Sequence, residues 1–263
     1  MPPAHDDLMA RDLASSAGEL LLQVRAREFP DATARKAAGD AESHRLLLDR
    51  LRELCPDDAV LSEEGADDAA RLDSERVWIV DPLDGTREFS ELDRSDWAVH
   101  VALWERGDLV AGAVGLPAEG VTLSTAEPPV VPERPEGPLR LAVSRSRPPA
   151  LTQDLAARLD AELVAMGSAG VKAMAVVRGQ ADAYVHGGGQ YEWDSAAPVA
   201  VARAAGLHTS RLDGSPLEYN RPDPWLPDLL ICRPELAGEL LAELAALPQA
   251  AAPSRPNHGG VHA

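Results

Sequence analysis

Two carboxylates, Asp81 and Asp84, follow an apolar run and lie three residues apart in the chain. The run Val77–Val80 predicts a buried strand, and α/β sheets commonly bind ligands at the carboxyl ends of their strands. Pro82 lacks a backbone donor and Gly85 permits close approach of the backbone, so both carboxylates can point at one place. They would repel each other there unless a cation or a proton lay between them. Mg²⁺ suits the position, since this hard divalent metal binds carboxylate and phosphate oxygens.

Further acids could converge on the same place. A solvated turn would be the simpler interpretation of an isolated Asp-x-x-Asp pattern. However, Glu63 follows a short strand predicted for Ala59–Leu61, which would lie beside the Asp81 strand, so the two carboxylates could meet at one sheet edge. Asp194 begins an Ala- and Val-rich helix, where one oxygen could cap the helix while the other coordinates a metal. The convergence favours a metal site.

A candidate anion site lies later in the chain. A helix is predicted to begin near Gly167–Gly170, where its first backbone N–H groups could bind an anion, and Lys172 lies one turn further on. Taken alone, such features are more often structural than functional. The seven histidines show no metal-ligand spacing, and we assign none of them to chemistry. The sequence also has no Gly-rich P-loop and no G-x-S-x-G elbow.

Composition limits the classes of function. The 263 residues are 45% hydrophobic and 26% charged, as in an ordinary globular protein with a substantial core. The net charge of −18 and the absence of a basic run argue against binding to a nucleic-acid polymer or an anionic membrane. Aromatic residues make up only 4%, which argues against base stacking along single strands. A small anionic substrate is compatible with local metal ions.

The sequence predicts a cytoplasmic location. Cys55 and Cys232 stand in dissimilar contexts and form no disulfide framework. The acidic segment 1–12 has no apolar core of a signal peptide, and no run approaches the roughly 18 apolar residues of a membrane span.

The first half is predicted to place its acids on a sheet covered by two helices. The first helix ends near Phe29, and a polar stretch, Asp31–Gly39, precedes a second helix that Pro56–Asp58 breaks. After the Asp81 strand the sheet continues through three runs with hairpin and turn signals. These are Trp97–Trp104, Leu109–Leu116 and Val121–Thr125.

The second half alternates between helix and strand. Five prolines in Glu127–Pro138 indicate a linker, so we expect an N-terminal lobe at 1–138 and a C-terminal α/β lobe at 139–247. The segment 248–263 is predicted to be a disordered tail. The expected elements are strand Leu139–Val143, helix Ala150–Leu163, helix Ser168–Arg178, strand Ala183–His186, helix Asp194–Ala205, strand Leu229–Cys232 and helix Glu235–Leu247.

Three motifs together resemble the lithium-sensitive, Mg²⁺-dependent phosphatases, which include inositol monophosphatase, fructose-1,6-bisphosphatase and 3′(2′),5′-bisphosphate nucleotidase. The motifs are Glu63-Glu64, Asp81–Thr86 and Trp193-Asp194-x-x-Ala197. Four segments resemble the CysQ type of actinobacteria, and Thr86–Phe89 is typical of the nucleotidase branch. These segments are Ala59–Glu64, Thr86–Ser90, Gly167–Met174 and Arg211–Pro216. The resemblance runs from the first helix to about Leu247. It implies an α/β (α+β layered) fold, an alternating αβαβα sandwich.

The resemblance also implies roles for individual residues. The metal ligands would be Glu63, Asp81, Asp84, Asp194 and the backbone carbonyl of Leu83, holding two or three Mg²⁺ ions. Glu63 and Thr86, with Asp40 behind the hydroxyl, would orient the attacking water. At Asp40 the usual Val-Thr-x-x-Asp context of the family is replaced by Lys36–Gly39. Substrate contacts are expected from Gly85, Thr86, Arg87, Ser168, Lys172 and Asp194.

The implied reaction is removal of the 3′-phosphate from 3′-phosphoadenosine 5′-phosphate, a by-product of sulfate assimilation, giving AMP. A homodimer is expected because it is common in the family. Inositol-1-phosphate and fructose-1,6-bisphosphate are alternative substrates, since their phosphatases share the catalytic motifs. A catalytically silent metal-binding regulatory or scaffold protein is an alternative of a different class.

Overall fold

Two five-stranded sheets alternate with three layers of helix in residues 5–146 and 148–247, the part of the chain that the computed structural model describes. The helical layers cover the outer face of each sheet and fill the space between the sheets. This arrangement confirms the predicted αβαβα sandwich. The segment 248–263, predicted to be a tail, lies outside the described residues.

The first sheet and its outer helices come from the N-terminal half. The sheet order is β1-β2-β3-β4-β5, with β1 parallel to β2 and the other neighbours antiparallel. In chain order the elements are α1 His5–Arg25, α2 Ala32–Leu54, β1 Ala59–Ser62, β2 Arg76–Asp84, α3 Thr86–Ser90, β3 Ala98–Glu105, β4 Asp108–Leu116 and β5 Val121–Ser124.

The C-terminal half supplies the second sheet and the other helices. The order of this sheet is β10-β12-β8-β6-β7, and β9 and β11 form a separate two-stranded pair. The elements are β6 Arg140–Ser144, α4 Ala150–Leu159, β7 Glu162–Met166, α5 Ala169–Val177, β8 Ala183–His186, β9 Gln190–Tyr191, α6 Glu192–Ala204, β10 His208–Ser210, β11 Trp225–Leu226, β12 Leu229–Cys232 and α7 Ala237–Ala246.

Alternation along β2 explains how the first sheet is buried on both faces. Trp78 and Val80 join the core beneath α1 and α2, whereas Val77 and Ile79 join the core that contains α5 and α6. Successive side chains of a strand point to opposite faces, so a continuous apolar run serves both cores. The second sheet is also covered twice, by α5 on its inner face and by α4 and α7 on its outer face.

Small residues bring α6 close to the first sheet. Gly112 of β4 faces the helix, and a Cβ built on it would lie 2.5 Å from the Cβ of Ala200. Only a residue without a Cβ lets the two backbones approach this closely. The position of α6 against the sheet therefore depends on Gly112.

Three predicted boundaries differ from the structure in the first half. Helix α2 begins at Ala32 rather than after Gly39, because the Asp31 side chain accepts a hydrogen bond from the backbone N–H of Ala34 and caps the helix. The first helix ends at Arg25, before Phe29. Strand β2 continues through Asp84, with a register shift against β3 between Asp81 and Asp84. The acids are thus in an irregular strand end rather than beyond it.

In the second half, the predicted helix Ala150–Leu163 is too long. It ends at Leu159, where Asp160 adopts a left-handed conformation with φ of 49°, and the strand β7 follows. The short strands β9, β10 and β11 were also not predicted.

Glu127–Pro138 separates the strands of the two sheets, and the division into lobes at residue 138 stays a prediction. Among the described residues, no helix is long and apolar enough to cross a membrane.

Candidate metal centre and active site

Strand pairing brings the acids of the first half together. Strand β1 runs parallel to β2 with Ser62 opposite Val80, so Glu63 and Asp81 continue side by side at the same sheet edge. Asp81 also pairs with His100 of β3 across the sheet. Potential ligand atoms of Asp81, Asp84 and His100 all lie within 4.8 Å of one another, and all three side chains are buried. The predicted meeting of Glu63 and Asp81 is confirmed.

The part of the site around Glu63 and Asp81 places acidic groups close together in a buried environment. Burial, together with the negative charge of Asp194, raises the pKa of Glu63 to about 8. Burial and the charges of Glu63 and Asp84 raise the pKa of Asp81 well above its usual range. These groups resist ionisation because burial and the neighbouring acids both disfavour their charged forms. A divalent cation would favour their ionised forms, so the donor set fits a hard metal.

Asp84 lies in the opposite electrostatic environment. Burial alone would raise the pKa of Asp84, but hydrogen bonding and charge from His100, together with Lys172 and Ser168, hold it below its usual range. Its Oδ2 atom accepts hydrogen bonds from the Ser168 hydroxyl and from the backbone N–H of Gly170, the latter at 2.7 Å. The donors at the start of α5 therefore bind a carboxylate of the protein itself.

His100 links two parts of the site and was not predicted. Its Nδ1 atom lies 3.0 Å from the carbonyl oxygen of Trp193, to which it donates because a carbonyl only accepts. Its Nε2 atom lies 3.2 Å from Oδ2 of Asp84. A Cβ on Gly170 would lie 2.0 Å from this Nε2, so Gly170 is required beside the ring. The sequence signal that could have identified His100 is its position as a polar residue at the centre of the apolar run Ala98–Ala102.

Asp194 approaches the site from the helix between the sheets. It lies in the first turn of α6, and its Oδ2 atom accepts a hydrogen bond of 2.6 Å from the backbone N–H of Tyr191. The helix begins at Glu192, so Asp194 caps it from the third helical position rather than as its first residue. Burial and the charge of Asp84 raise the pKa of Asp194 to about 6. The residue thus caps the helix and shares the electrostatic environment of the other acids.

Gly85 turns the chain from the acidic strand end into α3. Its φ of 83° is in the left-handed region, and a Cβ there would lie 3.2 Å from the Cβ of Ser168. Glycine is favoured on both counts. Thr86 opens α3 and is half-buried. A cavity of about 550 Å³ adjoins this turn and is lined by Gly85, Thr86, Arg87, Glu88 and Ser146.

Asp40 and Arg87, two further residues predicted for the site, differ in their burial. Asp40 is on α2, and burial together with the charge of Glu64 raises its pKa to about 7. Within the described part of the chain, no hydrogen bond joins Asp40 to the Thr86 hydroxyl. Arg87 is exposed, with its Nε atom 3.1 Å from a carboxylate oxygen of Glu91. The roles predicted for these residues stay predictions.

Lys172 does not extend into the cavity beside Thr86. Its side chain is buried, and its Nζ atom donates to the carbonyl oxygens of Gly167 and Ser168, the former at 3.1 Å. The ammonium group also lies 5.4 Å from the centre of the Tyr184 ring. Lys172 therefore holds the turn before α5 and supplies positive charge near Asp84 from within the fold.

The sequence model of the inositol monophosphatase family matches residues 5–249. The chain belongs to this family. The predicted resemblance is confirmed. Members of the inositol monophosphatase family depend on a metal, and the buried Asp81, Asp84 and His100 are residues able to hold one.

Individual relatives in the inositol monophosphatase family agree with this assignment. The chain is 54% identical over 242 residues to the 3′-phosphoadenosine 5′-phosphate phosphatase of Mycobacterium bovis, covering 87% of this chain and 89% of that protein. It is 35% identical to the 3′(2′),5′-bisphosphate nucleotidase CysQ of Escherichia coli K12, with coverages of 81% and 94%. The crystal structure of CysQ from Bacteroides thetaiotaomicron superposes with a TM-score of 0.74 at 28% identity, covering 86% and 96%.

Proposed function

We propose that this protein is a Mg²⁺-dependent phosphomonoesterase that hydrolyses the 3′-phosphate of 3′-phosphoadenosine 5′-phosphate, giving AMP and phosphate. The observation that carries the substrate assignment is the 54% identity to the mycobacterial phosphatase, which extends over most of both chains. The convergence of Glu63, Asp81, Asp84 and Asp194 supports the reaction class. The proposed place of this reaction is sulfur metabolism.

The metal ions would be held by carboxylates from three segments of the chain. The proposed ligands are Glu63, Asp81, the Leu83 carbonyl, Asp84 and Asp194, for two or three Mg²⁺ ions. When bound, such ions supply positive charge to the phosphoryl oxygens and lower the pKa of a coordinated water by several units. The ionised state of Asp84 is already maintained by Ser168, Gly170 and Lys172.

The protein's own groups would orient the reactants. Glu63 would accept a proton from the attacking water, because the bound metal would favour the ionised form of its carboxylate. Thr86 would hold that water through its hydroxyl, with Asp40 behind it. The backbone N–H groups of Gly85 and Thr86 would bind the phosphoryl oxygens, with Arg87 at the mouth of the cavity. Asp194 would direct a proton to the leaving ribose oxygen.

Other residues would shape this arrangement indirectly. Ser168 would fix Asp84 through its hydroxyl, and Lys172 would fix the turn that carries Ser168.

Replacing Thr86 with Ala should lower kcat more than it raises KM, because the hydroxyl orients water rather than substrate. Equal fold changes in kcat and KM would contradict this role of Thr86. A homodimer belongs to the proposal and is checked by light scattering.

A substrate panel tests the proposed activity. Phosphate release is measured at equal Mg²⁺ concentration from 3′-phosphoadenosine 5′-phosphate, inositol-1-phosphate and fructose-1,6-bisphosphate. We expect the highest kcat/KM on the nucleotide, inhibition by Li⁺, and loss of turnover in EDTA that Mg²⁺ restores. A higher kcat/KM on either of the other substrates would replace the nucleotide assignment. No release from any of the three would favour a catalytically silent protein.

A further inference from the structure

We propose that Arg71, Asn220 and Glu192, which we call the buried clasp, are positioning residues that hold Glu63 and Asp194 at the spacing a metal site needs. These residues belong to three segments far apart in the sequence, and hydrogen bonds join the segments. The proposal rests on the proposed metal site but not on the identity of the substrate.

The first side of the clasp is Arg71, which is 1% exposed. It lies in a 3₁₀ turn, Ala69–Asp73, in the connection between β1 and β2 that also contains Glu63. Its Nη1 atom donates to Oδ1 of Asn220 at 2.6 Å, and its Nη2 atom donates to the carbonyl oxygen of Arg221 at 2.8 Å. The Asn220 amide returns a hydrogen bond of 3.3 Å to the carbonyl oxygen of Arg71.

The second side of the clasp is Glu192, the first residue of α6, which is also 1% exposed. Its two carboxylate oxygens accept hydrogen bonds from the backbone N–H groups of Asn220, at 2.7 Å, and Arg221, at 2.8 Å. The dipeptide Asn220-Arg221 is therefore bound from two directions. Arg71 binds its side chain and carbonyl, while Glu192 binds its N–H groups.

The backbone of Asn220 suits this double contact. Its φ of 56° lies in the left-handed region, which asparagine adopts more readily than most residues other than glycine. Asn220 therefore combines a turn conformation with a side chain that both accepts from and donates to Arg71. Glycine would keep the first property and lose the second, which makes Asn220→Gly a selective test.

The clasp connects the two ligand-bearing segments that the metal must bridge. Glu63 is in the same connection as Arg71, and Asp194 is in the same helical turn as Glu192. Two ionised carboxylates that share a metal site repel each other when the metal is absent. A rigid link between their segments opposes separation in the metal-free protein. Pre-organisation of this kind strengthens metal binding because less ordering is required on binding.

The experiment measures Mg²⁺ affinity directly, by isothermal titration calorimetry without substrate. In Asn220→Gly we expect a dissociation constant raised about tenfold, in the range seen when residues that orient metal ligands are changed. Asp160→Gly is the matched control, because Asp160 is also a left-handed non-glycine residue, with φ of 49°, but it is exposed at the end of α4. The control should bind Mg²⁺ as the wild type does.

Further measurements separate positioning from a general loss of structure. In metal-free buffer the circular dichroism of Asn220→Gly should match that of the wild type, whereas partial unfolding would reduce it. Turnover of 3′-phosphoadenosine 5′-phosphate by this variant should recover at high Mg²⁺. Glu192→Gln, which replaces one acceptor oxygen with a donor, should also weaken Mg²⁺ binding. The effects of Arg71→Lys and Asn220→Gly should be non-additive, because both break the same hydrogen bond.

Distinct results overturn the clasp and the proposed substrate. Wild-type Mg²⁺ affinity in folded Asn220→Gly and Glu192→Gln would overturn the positioning role, as would additive effects of Arg71→Lys and Asn220→Gly. If the nucleotide is not hydrolysed while Asn220→Gly still weakens Mg²⁺ binding, the proposed substrate fails and the clasp stands. A wild-type protein that binds no Mg²⁺ would overturn the clasp together with the metal site.

Discussion

The two carboxylates of the Asp81–Asp84 motif lie in contrasting surroundings. Asp81 lies beside Glu63, and its pKa is raised by burial and by the neighbouring acids. Asp84 accepts hydrogen bonds from Ser168 and Gly170 and lies near His100, and its pKa is lowered despite burial. The fold thus stabilises the ionised form of Asp84 and opposes the ionisation of Asp81. Each prediction below tests that difference.

Asp81→Asn should cause the largest loss of activity. We expect turnover to fall by about three orders of magnitude, since metal ions contribute several kcal/mol of transition-state stabilisation and each 1.36 kcal/mol is about tenfold in rate. Steady-state phosphate release measures the effect. Asp57→Asn is the control, because Asp57 is an exposed acid in the turn before β1. Wild-type turnover in Asp81→Asn would remove this carboxylate from the metal site.

Asp84→Asn should differ from Asp81→Asn in the stability of the metal-free protein. The neutral amide accepts less strongly from Ser168 and Gly170, and buried Lys172 loses a nearby negative charge, so we expect a loss of about 1–3 kcal/mol in unfolding free energy. Asp81→Asn removes an acid from the group around Glu63, so we expect no loss of unfolding free energy in this variant. Urea denaturation in EDTA compares the two variants. Equal stability would show that the surroundings of Asp81 and Asp84 do not differ as described.

Gly170→Ala should disturb the surroundings of Asp84 alone. The added methyl group would lie 2.0 Å from Nε2 of His100, and overpacking of this kind costs about 1–3 kcal/mol. Gly238→Ala in α7 is the control, because nothing lies within 4 Å of the corresponding position. Removing an exposed helical glycine should stabilise that variant by up to about 1 kcal/mol. Two variants of equal stability would contradict the tight packing of His100 against Gly170.

The pH dependence of stability should reveal the raised pKa values of Glu63 and Asp81. In the metal-free protein the pKa of Glu63 is about 8, above its ordinary 4.5, so the folded state binds more protons than the unfolded state between these values. The contribution of Glu63 to the unfolding free energy therefore decreases as pH rises through this interval. Asp81 acts in the same direction. Asp84 changes the unfolding free energy only at pH values below its ordinary pKa of 3.8, because its pKa in the folded protein is lowered.

Calorimetric melting in EDTA between about pH 5 and pH 8 measures this dependence. Saturating Mg²⁺ should make the slope less negative, because bound metal favours the ionised carboxylates. Glu63→Gln should do the same without metal. A slope in EDTA that Glu63→Gln leaves unchanged would contradict the raised pKa of Glu63.

The acidic edge was predictable because it depends on short-range pattern and one strand pairing. The apolar runs before Glu63 and Asp81 indicated strands, and their parallel pairing placed both acids at one edge. His100 was missed because its neighbours in space, Trp193 and Gly170, belong to α6 and α5. No local spacing encodes such contacts between layers. The same reason explains why the clasp was not predicted.

Strand β7 shows a second limit of local pattern. Its sequence, Glu-Leu-Val-Ala-Met, contains several good helix formers and lies soon after a helix, which favoured continuing the predicted helix to Leu163. The strand forms because the left-handed Asp160 ends α4 and because residues 162–166 pair with β6. Tertiary pairing of this kind overrides intrinsic preference. Element types were therefore more predictable than the contacts between distant segments.

The contact of α6 with Gly112 has a consequence for how substrate preference can change in this fold. Because no side chain intervenes at that point, the helix rests on the backbone of β4. A side chain can adopt another rotamer when its neighbour changes, whereas a strand backbone must bend. We therefore expect relatives that act on different phosphate esters to vary in the loops around the cavity and to keep the depth of this helix constant.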